Sequence, residues 1–365
     1  MFNKAVLALF LTYKLGQFLL PPTMNKNEQR ERIPQKPPII LPLPDSDEQP
    51  LWSVMISLHN TYAYLETTLL AILELDKGIG IMQMMVVDDA SKDGNIEDLV
   101  KEVGKGRIGY FRQPICVGKL RNLETCIKLA RGKYIHLLYG DNYVMKGFYE
   151  EVENIFADFP RVGAAFTEFE YINERGAPIW KHKPLSQERG IIKNWVETLA
   201  ERQLTQPSAM VIKRKTYEKL GSYFAVEHGE FWEMTLRIAA YSELAYIPKV
   251  LANFRIHGKA LAPGSLKTGS NIDDISTIIG IIRGYLPLEI RDKVSDTSKK
   301  YFSQHFARLS HKVYHEFKDT GAAMQQAKSA LLLHVNIISI QYSVLLFLKV
   351  AIGYKRIRNW VEKIT

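Results

Sequence analysis

Asp141 stands directly after an apolar run and a glycine, in the stretch YIHLLYGDN that spans 134–142. A single carboxylate at such a point can anchor a divalent cation when a bound diphosphate supplies further oxygens. Hard oxygen ligands of this kind suit Mg2+ or Mn2+. Asn142, the next residue, offers a neutral oxygen beside it. Earlier in the chain VVDDAS places two adjacent carboxylates, Asp88 and Asp89, at the end of another apolar run. Neighbouring side chains of a strand point to opposite faces, so one of the pair can accept hydrogen bonds from a base or ribose while the other steadies the loop. Read alone, the same residues make a turn whose Asp and Ser cap the next helix. Asp141 at a parallel position favours a shared crevice instead. No G-x-G-x-x-G follows the first strand and there is no Walker A lysine motif, so dinucleotide and P-loop readings lose their main support.

These residues need elements to hold them. WSVMISL (52–58) reads as a strand, and AYLETTLLAILEL carries Leu65, Leu69, Ile72 and Leu73 at helical spacing. MQMMVV is a second strand, followed by a polar helix around Ile96–Val103, a short strand RIGYFR, a helix from Gly118 to Ala130, and the strand before Asp141. Regular alternation of strand and helix predicts a parallel α/β sheet with right-handed crossovers. Ligands of such sheets sit beyond the carboxyl ends of the strands. Three polar strand ends, Ser57-Leu58-His59-Asn60, Asp88–Ser91 and Gly140–Asn142, would then outline one crevice. Beyond Asn142 the pattern predicts a helix over 147–159, a strand VGAAFTEFEYI, and a smaller mixed sheet completing the same domain. From about Asn271 the chain reads as helices, the last of them LLLHVNIISIQYSVLLFLKVAIG, an apolar interfacial helix with basic flanks; the same pattern equally fits helices packed on the preceding domain.

The formal charge is +9 and 46% of the residues are apolar, enough to bury one large core or two modest ones. The positive charge is diffuse except at the C-terminus, where Lys349, Lys355, Arg356, Arg358 and Lys363 face only Glu362. No zinc-ligand spacing or aromatic–basic RNA motif accompanies it, so an anionic membrane surface or a phosphorylated substrate is expected rather than nucleic acid. Cys116 and Cys126 make no disulfide or metal framework, which suits a reducing compartment. The apolar stretch Ala5–Leu20 is interrupted by Lys14 and reads as a short amphipathic leader, with Met24 as a second possible start. The expected division is a leader and proline-rich linker over 1–51, a catalytic domain over 52–265, and a helical, membrane-associated extension over 266–365.

The stretch from Trp52 to about His257 resembles a family 2 glycosyltransferase. SLHN corresponds to the family's PTYN-like donor loop, VVDDASKDGN to its VDDGSxDxT segment, and CVGKLRNLETCIKLARGKYIHLL to NxGxxxARNxGxxxAxGxYIxFL. The resemblance implies the GT-A nucleotide-diphospho-sugar transferase fold, a mainly parallel Rossmann-like sheet flanked by helices. It also implies inverting transfer of a sugar from a UDP-, GDP- or dTDP-sugar to a saccharide or lipid-linked acceptor. Cell-surface polysaccharide synthesis at the cytoplasmic face of a membrane is the expected setting. Carried over residue by residue, Asp88 and Asp89 match the nucleotide-binding pair, His59 lies where an aromatic meets the base, and Ser57, Asn60, Gly118 and Arg121 line the donor. Asp141 matches the last acid of D-x-D, with Asn142 and His257 as further metal contacts. Arg255, two residues before His257, would face a phosphate.

Two departures matter. Tyr139 replaces the first acid of D-x-D, and the family's E-D base motif appears as Glu230-Phe231. Glu230 at a helix start is then the expected base, with Glu233 and Glu227 as reserves; for an arbitrary helix it would simply be a first-turn acid satisfying the dipole. Trp195 and Trp232 are expected in the core or as walls of an acceptor cleft. The alternative is a non-catalytic nucleotide-sugar-binding or scaffold protein that kept the fold. A nucleotidyltransferase is a weaker reading, since a glycine- and lysine-rich triphosphate loop is absent. Transfer requires Glu230 to face the crevice; Phe231 filling that space would favour the scaffold.

Overall fold

The computed structural model describes residues 32–44, 48–191, 194–256 and 263–352. Its first half alternates β1 (Trp52–Leu58), α1 (Tyr62–Glu74), β2 (Met82–Asp88), α2 (Ile96–Gly104), β3 (Gly109–Arg112), α3 (Lys119–Leu129) and β4 (Tyr134–Tyr139). Then follow α4 (Phe148–Asp158), β5 (Ala164–Ile172), β6 (Pro178–Lys181), β7 (Gly190–Ile191), α5 (Trp195–Glu201), β8 (Met210–Lys213), α6 (Arg214–Leu220), α7 (Glu230–Tyr241) and β9 (Leu244–Arg255). The remaining elements are helices: α8 (Pro263–Thr268), α9 (Ser270–Arg283), α10 (Arg291–Glu316), α11 (Thr320–Leu333) and α12 (Ile337–Ile352).

The strands join into one sheet of order β3-β2-β1-β4-β8-β5-β9-β7, with β6 paired to β5. The expected second sheet is a continuation of the first, because β8 pairs with both β4 and β5. β3, β2, β1, β4, β5 and β9 run in one direction; β6, β7 and β8 run against it. The strand order reverses between β1 and β4, where Ser57 pairs with Tyr139 on one side and with Val87 on the other. Crevices form at such a switch point, and the three polar strand ends meet there.

Every residue of β1 is buried because both faces of the sheet are covered. Val54, Ile56 and Leu58 pack with Leu65, Leu69 and Ile72 of α1 and with α4, while Met55 joins Leu120, Leu123 and Ile127 of α3 on the other face. That second core continues through Phe231, Trp232 and Leu236 of α7 into Ile275, Ile278, Phe302 and Phe306 of the C-terminal helices. Those helices thus complete a shared core, and each fully buried Ile or Phe contributes about 1.5–3 kcal/mol to holding them there.

Two sequence expectations change. The final apolar stretch is not one helix: α11 ends at Leu333 and α12 starts afresh, with Asn336 Oδ1 accepting from Ser339 N at 3.1 Å while Asn336 N donates to Ser339 Oγ at 3.1 Å. This reciprocal cap satisfies the orphan groups of a new helix start. The proline-rich segment also packs where it is described: Ile40 is buried, and the Pro34 and Pro38 carbonyls accept from Ala225 N and Ser222 N. The leader (1–31) and most of the basic C-terminal cluster (353–365) lie outside the described residues. Among the described residues no helix is long and apolar enough to cross a membrane.

Candidate active site

The loops after β1 and β2 are knitted together by their own polar groups. Asn60 (φ 55°) and Ala90 (φ 52°) turn the chain sharply through left-handed conformations. Asn60 N donates to Ser91 Oγ at 3.0 Å and Lys92 N donates to Asn60 Oδ1 at 2.9 Å. His59 Nδ1 bonds the Asp89 carbonyl at 2.8 Å; a carbonyl only accepts, so Nδ1 carries the proton.

Asp88 and Asp89 diverge, as adjacent strand residues must. Asp88 is fully buried and accepts from Ser91 N (2.9 Å), the Tyr110 hydroxyl (2.9 Å) and the Arg112 guanidinium. Asp89 accepts from Val117 N at 2.6 Å and Gly118 N at 3.0 Å. It therefore pulls the loop before α3 against the end of β2. Ser57 Oγ accepts from Asn122 Nδ2 at 2.9 Å, tying α3 to β1. Gly118 sits at φ 89°, and an added Cβ would touch the Arg32 side chain at 3.3 Å, so a glycine fits here for both reasons. Arg121 is partly exposed on α3 and pairs with Glu124 at 2.8 Å.

At the end of β4, Gly140 lets the chain pass close to α1: a Cβ there would lie 2.6 Å from Thr61 Oγ1 and 2.9 Å from Leu58 Cβ. Asp141 and Asn142 are fastened by Arg255, whose Nε donates to the Asp141 carbonyl and whose backbone N donates to Asn142 Oδ1, both at 2.9 Å. The same guanidinium donates to the Asn173 carbonyl (3.1 Å) and the Glu174 carbonyl (2.9 Å), and lies over the Tyr64 ring. This corrects two expectations. Arg255 is 4% exposed and clamps three loop carbonyls rather than facing a phosphate. Asn142 is 1% exposed with its oxygen turned to Arg255, so it is a strut and not a metal contact. His257 lies outside the described residues.

Glu230, the first residue of α7, is 4% exposed, and its Oε1 meets Lys119 Nζ at 2.7 Å and the Tyr139 hydroxyl at 3.3 Å. Lys119 opens α3 and Tyr139 closes β4, so the carboxylate faces the crevice side of the sheet. Burial, followed by the Glu230 charge, holds the Tyr139 phenol well above its ordinary range, so this hydroxyl stays a donor. Phe231 is buried among the core residues. Glu233 does not serve as a reserve: it is fully buried, paired with Arg237 at 3.0 Å, and accepts from the Tyr285 hydroxyl at 2.6 Å. Desolvation raises its pKa, against the pull of Arg237. Glu227 is half-buried in the turn before α7. Trp195 and Trp232 are core residues, the latter donating to the Leu199 carbonyl.

Among the described residues His59, Asp89 and Cys116 bring candidate ligand atoms within 4.8 Å of one another. Their chemistry does not suit a hard cation. His59 Nδ1 is protonated, both Asp89 oxygens accept backbone N–H groups, and burial followed by the Asp89 charge keeps the Cys116 thiol protonated. The hard-oxygen candidate is Asp141.

Residues 53–221, which carry all of the strand ends just described except the final β9 clamp, match the family model described as Glycosyl transferase family 2. These residues form a family 2 glycosyltransferase domain. A Mycoplasma genitalium protein described as an uncharacterized glycosyltransferase is 28% identical over 173 residues, covering 47% of this chain and 55% of its own length. An uncharacterized Mycobacterium tuberculosis protein is 24% identical over 246 residues, 63% of this chain and 75% of its own. Among solved structures, S. aureus TarS 1-349 in complex with UDP-GlcNAc superposes with a TM-score of 0.58 at 16% identity, covering 84% of this chain and 91% of that one. The Pyrobaculum calidifontis mannosyltransferase PcManGT, in complex with GDP-Man and Mn2+, gives 0.51 at 16% identity, covering 92% and 88%. The shared fold is the GT-A arrangement.

In this glycosyltransferase the residue that sequence reasoning missed is Lys119. A lysine in the first turn of a helix opposes the macrodipole, and that local mismatch was a readable signal that something else holds it. Its partner, Glu230, lies too far along the chain for any spacing rule to connect them.

Proposed function

We propose that this glycosyltransferase moves a sugar from a nucleotide-diphosphate-sugar to an acceptor hydroxyl with inversion, Glu230 acting as the base. The observation that carries this reading is the buried Glu230 carboxylate held between Lys119 and Tyr139 beside the strand-end crevice. Both contacts fall on Oε1, leaving Oε2 to take the acceptor proton. A base must lie within hydrogen-bond reach of that proton, and the two partners fix the carboxylate in one orientation. Asp88 and Asp89 shape the nucleotide side by ordering the loops around them, and His59, Asn60, Gly118 and Arg121 line it.

Asp141 would hold a divalent cation, Mn2+ or Mg2+, with diphosphate oxygens completing its shell. Bound there, the cation would offset the charge that develops on the leaving diphosphate. A single protein carboxylate suits these ions because they retain water or phosphate oxygens. The acceptor class is a saccharide or lipid-linked saccharide. Association with an anionic membrane surface is supported by an outward apolar row on α12, Ile337, Leu345, Leu348 and Ile352, and by the basic residues that follow it in sequence.

The test is calorimetric titration of UDP, GDP and dTDP with and without Mn2+, alongside Asp141→Ala. Metal-dependent binding of one nucleotide, lost in the variant, is expected. Equal Mn2+ affinity with and without nucleotide would sink the shared site, and no nucleotide binding would sink the transfer reading.

A further inference from the structure

The hairpin β5–β6 leaves the sheet beside the crevice and carries a row of aromatic rings. Tyr171 and Trp180 stack at 5.3 Å with 26° between their planes, and His182 lies edge-on to Trp180 at 4.1 Å. All four residues of β6 are exposed, and Trp180 is 54% exposed, whereas Trp52, Trp195 and Trp232 are buried. The indole could gain stability by turning inward; large exposed aromatics in a fixed cluster mark contact surfaces.

The row is tied to the site at one end. Asn173 and Glu174, in the β5–β6 turn, are the carbonyls that Arg255 clamps together with that of Asp141. Tyr171 lies two positions from Asn173, about 7 Å along an extended strand. Arg202, whose charge acts on His182, lies over the Tyr301 ring of α10 at 5.6 Å. Tyr301 meets Phe302 edge-on, and Phe302 packs on Trp232, two residues past Glu230. Burial, then the Arg202 charge, holds the His182 imidazole below its ordinary value, so it is neutral at pH 7 and can both accept and donate.

We propose that this shelf of Trp180, Tyr171 and Tyr301, edged by Arg202 and His182, binds the carbohydrate chain of the acceptor. The proposal rests on the glycosyl-transfer reading above. A sugar ring presents polarised C–H groups on one face and hydroxyls around its rim. The negative face of an aromatic ring attracts the first, and guanidinium and imidazole groups hydrogen-bond the second. A purely apolar partner would not need Arg202 and His182 interleaved with the rings. The turn that Arg255 fastens to the Asp141 loop fixes where a chain lying on the shelf enters the crevice, so the shelf sets which residue of the chain reaches Glu230.

The test uses the full chain with UDP and Mn2+ present, applied to immobilised chitotriose, maltotriose, mannotriose and xylotriose. Trp180→Ala, Trp180→Phe and Tyr301→Ala are compared with the wild type, and nucleotide binding is recorded separately by calorimetry. The expected result is retention of at least one oligosaccharide, weakened about tenfold or more by Trp180→Ala and by Tyr301→Ala and largely restored in Trp180→Phe. Nucleotide binding stays unchanged throughout. Equal retention by wild type and Trp180→Ala, or no retention of any of the four by a wild type that binds nucleotide, overturns the shelf and leaves the donor site standing. A wild type that binds no nucleotide removes the transfer reading and the shelf with it.

Discussion

The Tyr139 hydroxyl donates to Glu230 Oε1 across 3.3 Å, joining the last residue of β4 to the first residue of α7. Tyr139 stands where the family motif has an acid. A carboxylate there would face Glu230 as a like charge; a phenol held protonated by burial supports it instead.

Replacing Glu230 with Gln keeps the side-chain shape and removes the proposed base. Transfer falls about 10²- to 10⁴-fold, while nucleotide affinity by calorimetry stays within experimental error of the wild type. Loss of nucleotide binding instead would reassign Glu230 to holding the fold or the donor.

Tyr139→Phe deletes one hydrogen bond to the proposed base and leaves Lys119 in place. We expect kcat to drop about three- to tenfold, the scale of one net hydrogen bond, with KM for the donor unchanged. A change confined to KM would show that Tyr139 acts on donor binding.

Gly132 precedes β4, and a Cβ there would lie 2.4 Å from both Ser53 N and the Trp52 carbonyl carbon. Backbone atoms cannot yield as a flexible side chain does, so Gly132→Ala should cost more than about 3 kcal/mol in urea unfolding. Gly80→Ala meets nothing within 4 Å and should change stability by less than about 0.5 kcal/mol. Similar midpoints for the two variants would contradict the packing at the start of β4.

His136 is fully buried on β4, stacked on Phe148, with Nε2 donating to the Ser208 carbonyl at 3.0 Å. Desolvation lowers its pKa from 6.5 to about 4. The unfolded chain therefore takes up a proton as pH falls through 6.5, whereas the native state does so only near 4. Stability from neutral His136 is fully present above 6.5 and is lost as pH drops toward 4, by about 2 kcal/mol between pH 7 and pH 5. Urea midpoints at those two pH values should differ less in His136→Phe than in the wild type; equal slopes would place the pH dependence elsewhere.

The alternation of strand and helix through β4 is legible in the residues alone, since apolar periodicity is local and both cores require it. So is which strand ends are polar, and sheets that reverse order at β1 and β4 bring those ends together. Asp88, Asp89 and Asp141 could be singled out for that reason. The contacts of Arg255, Asn142 and Glu233 emerge with packing, because each is assigned by a partner distant in the chain: Arg255 by the carbonyls of Asn173 and Glu174, Asn142 by Arg255, Glu233 by Tyr285. The same holds for Lys119 and Glu230, whose pairing joins the starts of two helices. Side-chain chemistry is written in the sequence. Whether a charge meets solvent, a carbonyl or an opposite charge is set by packing, which sums over contacts that no local pattern encodes.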